Sequence, residues 1–94
     1  IEINTGPYTE MKSANDVERE LSKIRIAARH AAGLGLRVFA GHGLNNENVV
    51  AVAAIPEIEE FNIGHNIVAR SIYVGMERAV KDIMMSIEKG FRMR

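Results

Sequence analysis

The chain has 94 residues, 47% of them hydrophobic, with no cysteine and with 12 basic and 12 acidic residues that cancel to a formal charge of zero. This is the size of one small domain, and it excludes a disulfide framework, a cysteine-bound metal site and a global field attracting nucleic acid or an anionic membrane. No apolar run approaches the roughly 20 residues of a spanning helix, so neither membrane nor nucleic acid is an expected partner, and the lack of cysteine makes a reducing cytoplasm the default setting.

The chain opens on IEIN, where Ile1 and Ile3 alternate with polar neighbours as a strand would. A strand with nothing before it to pair with reads as the start of the C-terminal piece of a longer protein. A polar loop is expected from Thr5 to about Asn15, then a long helix from Asp16. Its apolar positions Val17, Leu21, Ile24, Ala27, Ala28 and Ala31 recur at helical spacing. Ser13, Asn15 and Asp16 compete as its N-cap, and Gly33 or Gly35 stops it. The second unit is a strand from Leu36 to Ala40, the loop GHGLN, and a helix from about Asn46 to Ala54 ended by Pro56. The third is a strand from Glu60 to Ile63, a turn at Gly64-His65-Asn66, and helical sequence from Ile67 to about Lys89. Gly75 is expected to break that last stretch in two, with Ala79, Val80, Ile83, Met84 and Ile87 packing the second part.

Strand and helix alternating in this way predict a parallel sheet. Strand starts near residues 1, 36 and 60 suit a βα-barrel or a doubly wound sheet. Three such strands alone leave bare edges, and Ile1, Ile3, Val38 and Ile63 are expected as inner apolar positions in need of partners.

In parallel sheets, ligands sit outside the carboxyl ends of the strands. Those ends carry Glu2 with Asn4, Thr5 and Gly6, then Gly41, His42 and Gly43, then Gly64, His65 and Asn66. A carboxylate beside an imidazole can share acid–base work, and Gly64-His65 opens a helix, where backbone N–H groups and the dipole favour a phosphate. Each residue also has a plainer role open to it. Glu2 can face a neighbouring cation, His42 can be a turn histidine, and His65 can only cap its helix. The convergence of three such loops on one rim favours the functional role. Elsewhere, His30 reads as a helix-end residue. Met76, Met84, Met85 and Met93 read as core or subunit packing, and Lys89, Arg92 and Arg94 as a frayed basic terminus.

The segments IEINTGPY, LGLRVFAGHGLNNENV and IPEIEEFNIGHNIVARSIYVGMERAV, in this order and spacing, closely resemble the C-terminal part of the pyridoxine 5′-phosphate synthase family of vitamin B6 biosynthesis. The resemblance covers nearly the whole chain. It implies an α/β fold, a (βα)₈ TIM-type barrel of which residues 1–94 hold about the last three βα units, strands six to eight. It implies condensation of 1-deoxy-D-xylulose 5-phosphate with 3-amino-2-oxopropyl phosphate to pyridoxine 5′-phosphate, phosphate and water, with no metal, no organic cofactor and assembly as an octamer. Carried over by motif, Glu2 matches the transition-state stabiliser and His42 the proton donor, while Gly43, Gly64 and His65 match positions that hold the amino-oxopropyl phosphate. Asn4 stands where the family commonly has histidine, and Pro7 where it has a small residue. The remaining catalytic and ligand positions fall on earlier strands. A non-catalytic phosphometabolite-binding module and another phosphate-binding barrel enzyme are the alternative readings.

Overall fold

The computed structural model describes residues 1–94, apart from the side chains of residues 65, 66 and 69. Its elements in chain order are β1 (Glu2–Asn4), α1 (Gly6–Glu10), α2 (Ala14–Gly33), β2 (Val38–Gly41), α3 (Val49–Ala53), β3 (Ile58–Asn62), α4 (Gly64–Val74) and α5 (Met76–Arg92). The three strands form one parallel sheet in the order β1-β2-β3. The expected alternation is therefore present, and each strand is followed by helix, as a parallel sheet requires.

The strand pattern is short but unambiguous. Glu2, Phe39 and Glu60 stand in one row across the sheet, and Asn4, Gly41 and Asn62 in the next. The register slips between Val38 and Phe39, and Glu59 is the extra residue this leaves on β3. On the other face Ile3, Val38, Ala40, Ile58 and Phe61 join the apolar core with Leu21, Ile24 and Ala28 of α2, Val49 and Val52 of α3, and Ile83 and Ile87 of α5. Val38 and Ile63 are thus buried against the helix layer rather than being inner positions in need of a partner, whereas Ile1 is exposed. Period-two alternation identifies two faces but not which one the helices cover.

Helix α2 starts two residues earlier than Asp16, because the Ser13 hydroxyl caps it by accepting from the Asp16 amide at 3.1 Å. Its stripe is narrower than the apolar sequence suggests: Leu21, Ile24, Ala28 and Ala31 are buried, but Ala27 is exposed. Past its end Gly35 adopts φ +82°, the left-handed turn that releases the chain toward β2. In α5, Ala79, Ile83, Ile87 and Gly90 are buried at helical spacing. Gly90 lets α5 lie directly on α3, since a Cβ there would stand 2.4 Å from the Ala53 Cβ and 2.5 Å from the Val50 carbonyl oxygen. Gly75, at φ +84°, separates α4 from α5 as expected.

Several expectations are corrected. The segment after Thr5 is not all loop: Gly6–Glu10 is a helical turn with Pro7 in its first turn, where proline's fixed φ suits a helix. Strand β2 begins at Val38 rather than Leu36, and β3 runs Ile58–Asn62 rather than Glu60–Ile63. Helix α3 is only Val49–Ala53, because Asn45 to Asn48 are spent in a side-chain-bonded turn. Helix α4 begins at Gly64 itself rather than after a three-residue turn. Val80 and Met84 are exposed, as are Met76, Met85 and Met93, so the methionines are not core. Arg94 is not frayed. Its guanidinium donates to the Ala53 carbonyl at 2.9 Å and the Ile58 carbonyl at 2.7 Å and stacks 4.4 Å over Phe91.

Candidate active site

The parallel sheet brings all three strand ends to one edge, and the loops that leave them are built by local chemistry. Loop β2–α3 begins with His42 at φ +98° and Gly43 at φ +74°. Positive φ is ordinary for glycine and costly for histidine, of order 1–3 kcal/mol. Two bonds from Thr5 hold the turn. Its amide donates to the Gly41 carbonyl at 2.9 Å, and its hydroxyl donates to the His42 carbonyl at 2.7 Å. Thr5 is fully buried. Gly43 lies against Thr9, whose Oγ1 would be 2.2 Å from a Cβ at position 43. Downstream, Asn45 Oδ1 accepts from the amides of Glu47 and Asn48 at 2.9 Å each, and Asn48 Nδ2 reaches the Gly43 carbonyl at 3.3 Å. The Tyr8 hydroxyl donates to the Asn48 carbonyl at 2.8 Å and so ties α1 to the same loop. Burial pushes the Tyr8 phenol up, with the nearby Glu18 carboxylate adding to the effect.

The result is an open cavity of about 480 Å³ lined by Glu2, His42, Gly43, Leu44, Asn62, Ile63 and Gly64. Four of the five residues singled out from sequence, Glu2, His42, Gly43 and Gly64, therefore share one wall. The fifth, His65, has its side chain outside the described residues. Glu2 accepts a hydrogen bond from Asn62 Nδ2. The cavity thus combines an anchored carboxylate, an imidazole on a turn of fixed shape, and two glycines, Gly43 packed against Thr9 and Gly64 uncovered. Around Gly64 even an added Cβ would meet nothing within 4 Å. Such a wall suits proton transfer next to an oxyanion. Among the described residues no group of three or more histidine, aspartate or glutamate side chains is arranged to hold a metal. Among the described residues, no helix is long and apolar enough to cross a membrane.

Sequence reasoning placed Thr5 at the end of the first strand but not its tie to His42, and it missed Asn62 and Thr9. Asn62 had a usable signal: it is the last polar strand residue before Gly64, in the place that Asn4 and Gly41 hold on the other strands. The tie from Thr5 to His42 and the approach of Thr9 to Gly43 had none, because these pairs lie more than 30 residues apart in the chain.

Residues 1–89 match the family model described as pyridoxal phosphate biosynthesis protein PdxJ. The chain belongs to this family. Among relatives named pyridoxine 5′-phosphate synthase, that of Geobacter sp. (strain M21) is 57% identical over 83 residues, 88% of this chain and 35% of the relative. That of Chlorobium phaeobacteroides (strain BS1) is 47% identical over 89 residues, 95% of this chain and 37% of the relative. That of Synechocystis sp. (strain ATCC 27184 / PCC 6803 / Kazusa) is 49% identical over 87 residues, covering 93% and 36%. This PdxJ-family chain thus spans little more than a third of the length of the relatives it matches.

Proposed function

We propose that residues 1–94 are the last three βα units, strands six to eight, of a (βα)₈ barrel. They supply one wall of a pyridoxine 5′-phosphate synthase site that condenses 1-deoxy-D-xylulose 5-phosphate with 3-amino-2-oxopropyl phosphate. The observation that carries the reading is the meeting of Glu2, His42, Gly43 and Gly64 on one cavity at the strand ends of a chain in this family. His42 acts as the proton donor, and its turn aims the ring from the end of β2. Glu2 stabilises positive charge or a donated proton in the transition state, as a fixed carboxylate does without reorganising. The amino-oxopropyl phosphate is held by backbone amides at Gly43, Gly64 and His65, the last two opening α4, where the helix dipole favours an anion. The proton acceptors and the second substrate's ligands come from other strands of the barrel. Neither metal nor organic cofactor takes part, and the protein works in the cytoplasm as a homo-octamer.

The test is product formation by the complete protein from the two phosphorylated substrates. His42→Asn is the sharpest variant, because asparagine tolerates positive φ and keeps hydrogen bonding, yet donates no proton near neutral pH. Turnover is expected to fall about 10² to 10⁴-fold with substrate affinity retained. A parent protein that binds the phosphates but forms no product would instead be a binding module.

A further inference from the structure

Glu2 and Asn62 lie on β1 and β3, with β2 between them. Neighbouring strands are about 4.8 Å apart, so the outer two are separated by roughly 10 Å, and a side chain on the middle strand ordinarily fills the space. Here the residue in the Asn62 row of β2 is Gly41. Glu2 stands one row back, opposite Phe39, and its carboxylate reaches forward along the sheet until it lies over Gly41. A Cβ at position 41 would be 2.7 Å from Glu2 Oε1 and 2.9 Å from the Asn62 Cβ. The missing side chain is therefore the space in which the Asn62 amide donates to Glu2 Oε1. Glu2 and Asn62 are both exposed on the open cavity wall, with no core packing to hold either in place.

We propose that Asn62 is a positioning residue for the Glu2 carboxylate, acting across the sheet through the gap that Gly41 leaves. This rests on Glu2's role in the proposed synthase reaction. A glutamate has three rotatable bonds, and a charge-assisted bond from a short, strand-mounted amide removes most of that freedom at one carboxylate oxygen. The second oxygen is then presented to the cavity in a fixed plane. Asn62 itself needs no contact with the reacting atoms. Its effect appears in turnover, because a carboxylate displaced by about 1 Å costs up to roughly 10²-fold.

The experiment is a double-mutant cycle in the complete protein, measuring kcat and KM for wild type, Glu2→Gln, Asn62→Ala and the double variant. Asn62→Ala is expected to lower kcat about 10- to 100-fold while KM changes little. The double variant should be no slower than Glu2→Gln alone, because a residue acting only through Glu2 has nothing left to position. Gly41→Ala should reproduce the Asn62→Ala defect. Multiplicative losses in the double variant would overturn the inference and leave Glu2's role intact. Wild-type turnover in Glu2→Gln would overturn the role of Glu2 instead. The hydrogen bond is checked apart from activity by the NMR signals of the Asn62 side-chain amide in Glu2→Ala. Signals that do not move there show that the contact, and the inference with it, is absent.

Discussion

Replacing Thr5 by valine isolates the force that holds His42 in place. Valine matches threonine in shape, so Thr5→Val removes a hydroxyl from a fully buried position without opening a cavity. What is lost is the 2.7 Å bond to the His42 carbonyl. A typical hydrogen bond contributes about 0.5–1.5 kcal/mol net, and a buried carbonyl left without its donor costs about 1–3 kcal/mol. The backbone at His42, at φ +98°, stores strain of similar size, of order 1–3 kcal/mol. The strain offsets only part of what the tether and the satisfied carbonyl contribute, and removing the tether should let the turn relax. Expected for Thr5→Val is a loss of about 1–3 kcal/mol, read as a lower urea midpoint at unchanged slope, together with a drop in kcat. Thr5→Ser keeps the hydroxyl while giving up a methyl group, so it should lose about 1 kcal/mol of stability but retain turnover. In a His42→Gly background, where positive φ carries no penalty, no strain is released when the tether goes, so the stability cost of Thr5→Val should grow. A Thr5→Val protein as stable and as active as Thr5→Ser would refute the account, as would a smaller cost in the glycine background.

Gly43→Ala adds a Cβ 2.2 Å from Thr9 Oγ1 at a residue with φ +74°. It should cost more than the roughly 1 kcal/mol of an unfavourable φ alone, and thermal melts should show Thr9→Ala recovering only the steric part. A Cβ at Gly64 would meet nothing within 4 Å, so the fold should tolerate Gly64→Val while affinity for 3-amino-2-oxopropyl phosphate falls in calorimetric titration; unchanged affinity would remove Gly64 from the phosphate site. Tyr8 is held neutral by burial and by Glu18, its folded pKa lying above the usual tyrosine value near 10. Its contribution to stability is therefore complete below about pH 10 and is lost as pH rises through the raised folded value. Urea midpoints measured across that window should fall less steeply in Tyr8→Phe than in wild type, and parallel curves would contradict the assignment.

Much of this was legible in the residues because the relevant physics is local. The strand-then-helix order follows from the change of apolar period and the break at Gly75 from glycine's freedom at positive φ, whereas Ser13 was one of three N-cap candidates until the structure chose it. The rim of Glu2, His42, Gly43 and Gly64 follows from a general property of parallel sheets: every strand end points the same way, so the loops after them must share an edge. Helix bounds near residues 6, 46 and 64 were not legible; near 46 the bound depends on asparagine side chains spent in a turn, where Asn45 and Asn48 bond each other's backbone. The burial of Val38 against helices and the exposure of Val80 and Met84 needed the packing of α5 on α3, fixed by close approach at Gly90. The same holds for the supports of the site. Sequence alone placed a carboxylate and an imidazole on one edge; it could not show that Thr5 restrains a strained histidine 37 residues away, or that Gly41 opens the space in which Asn62 meets Glu2 across 60 residues. Those contacts exist only once the sheet has set its register, because the distances that decide them are measured through space and not along the chain.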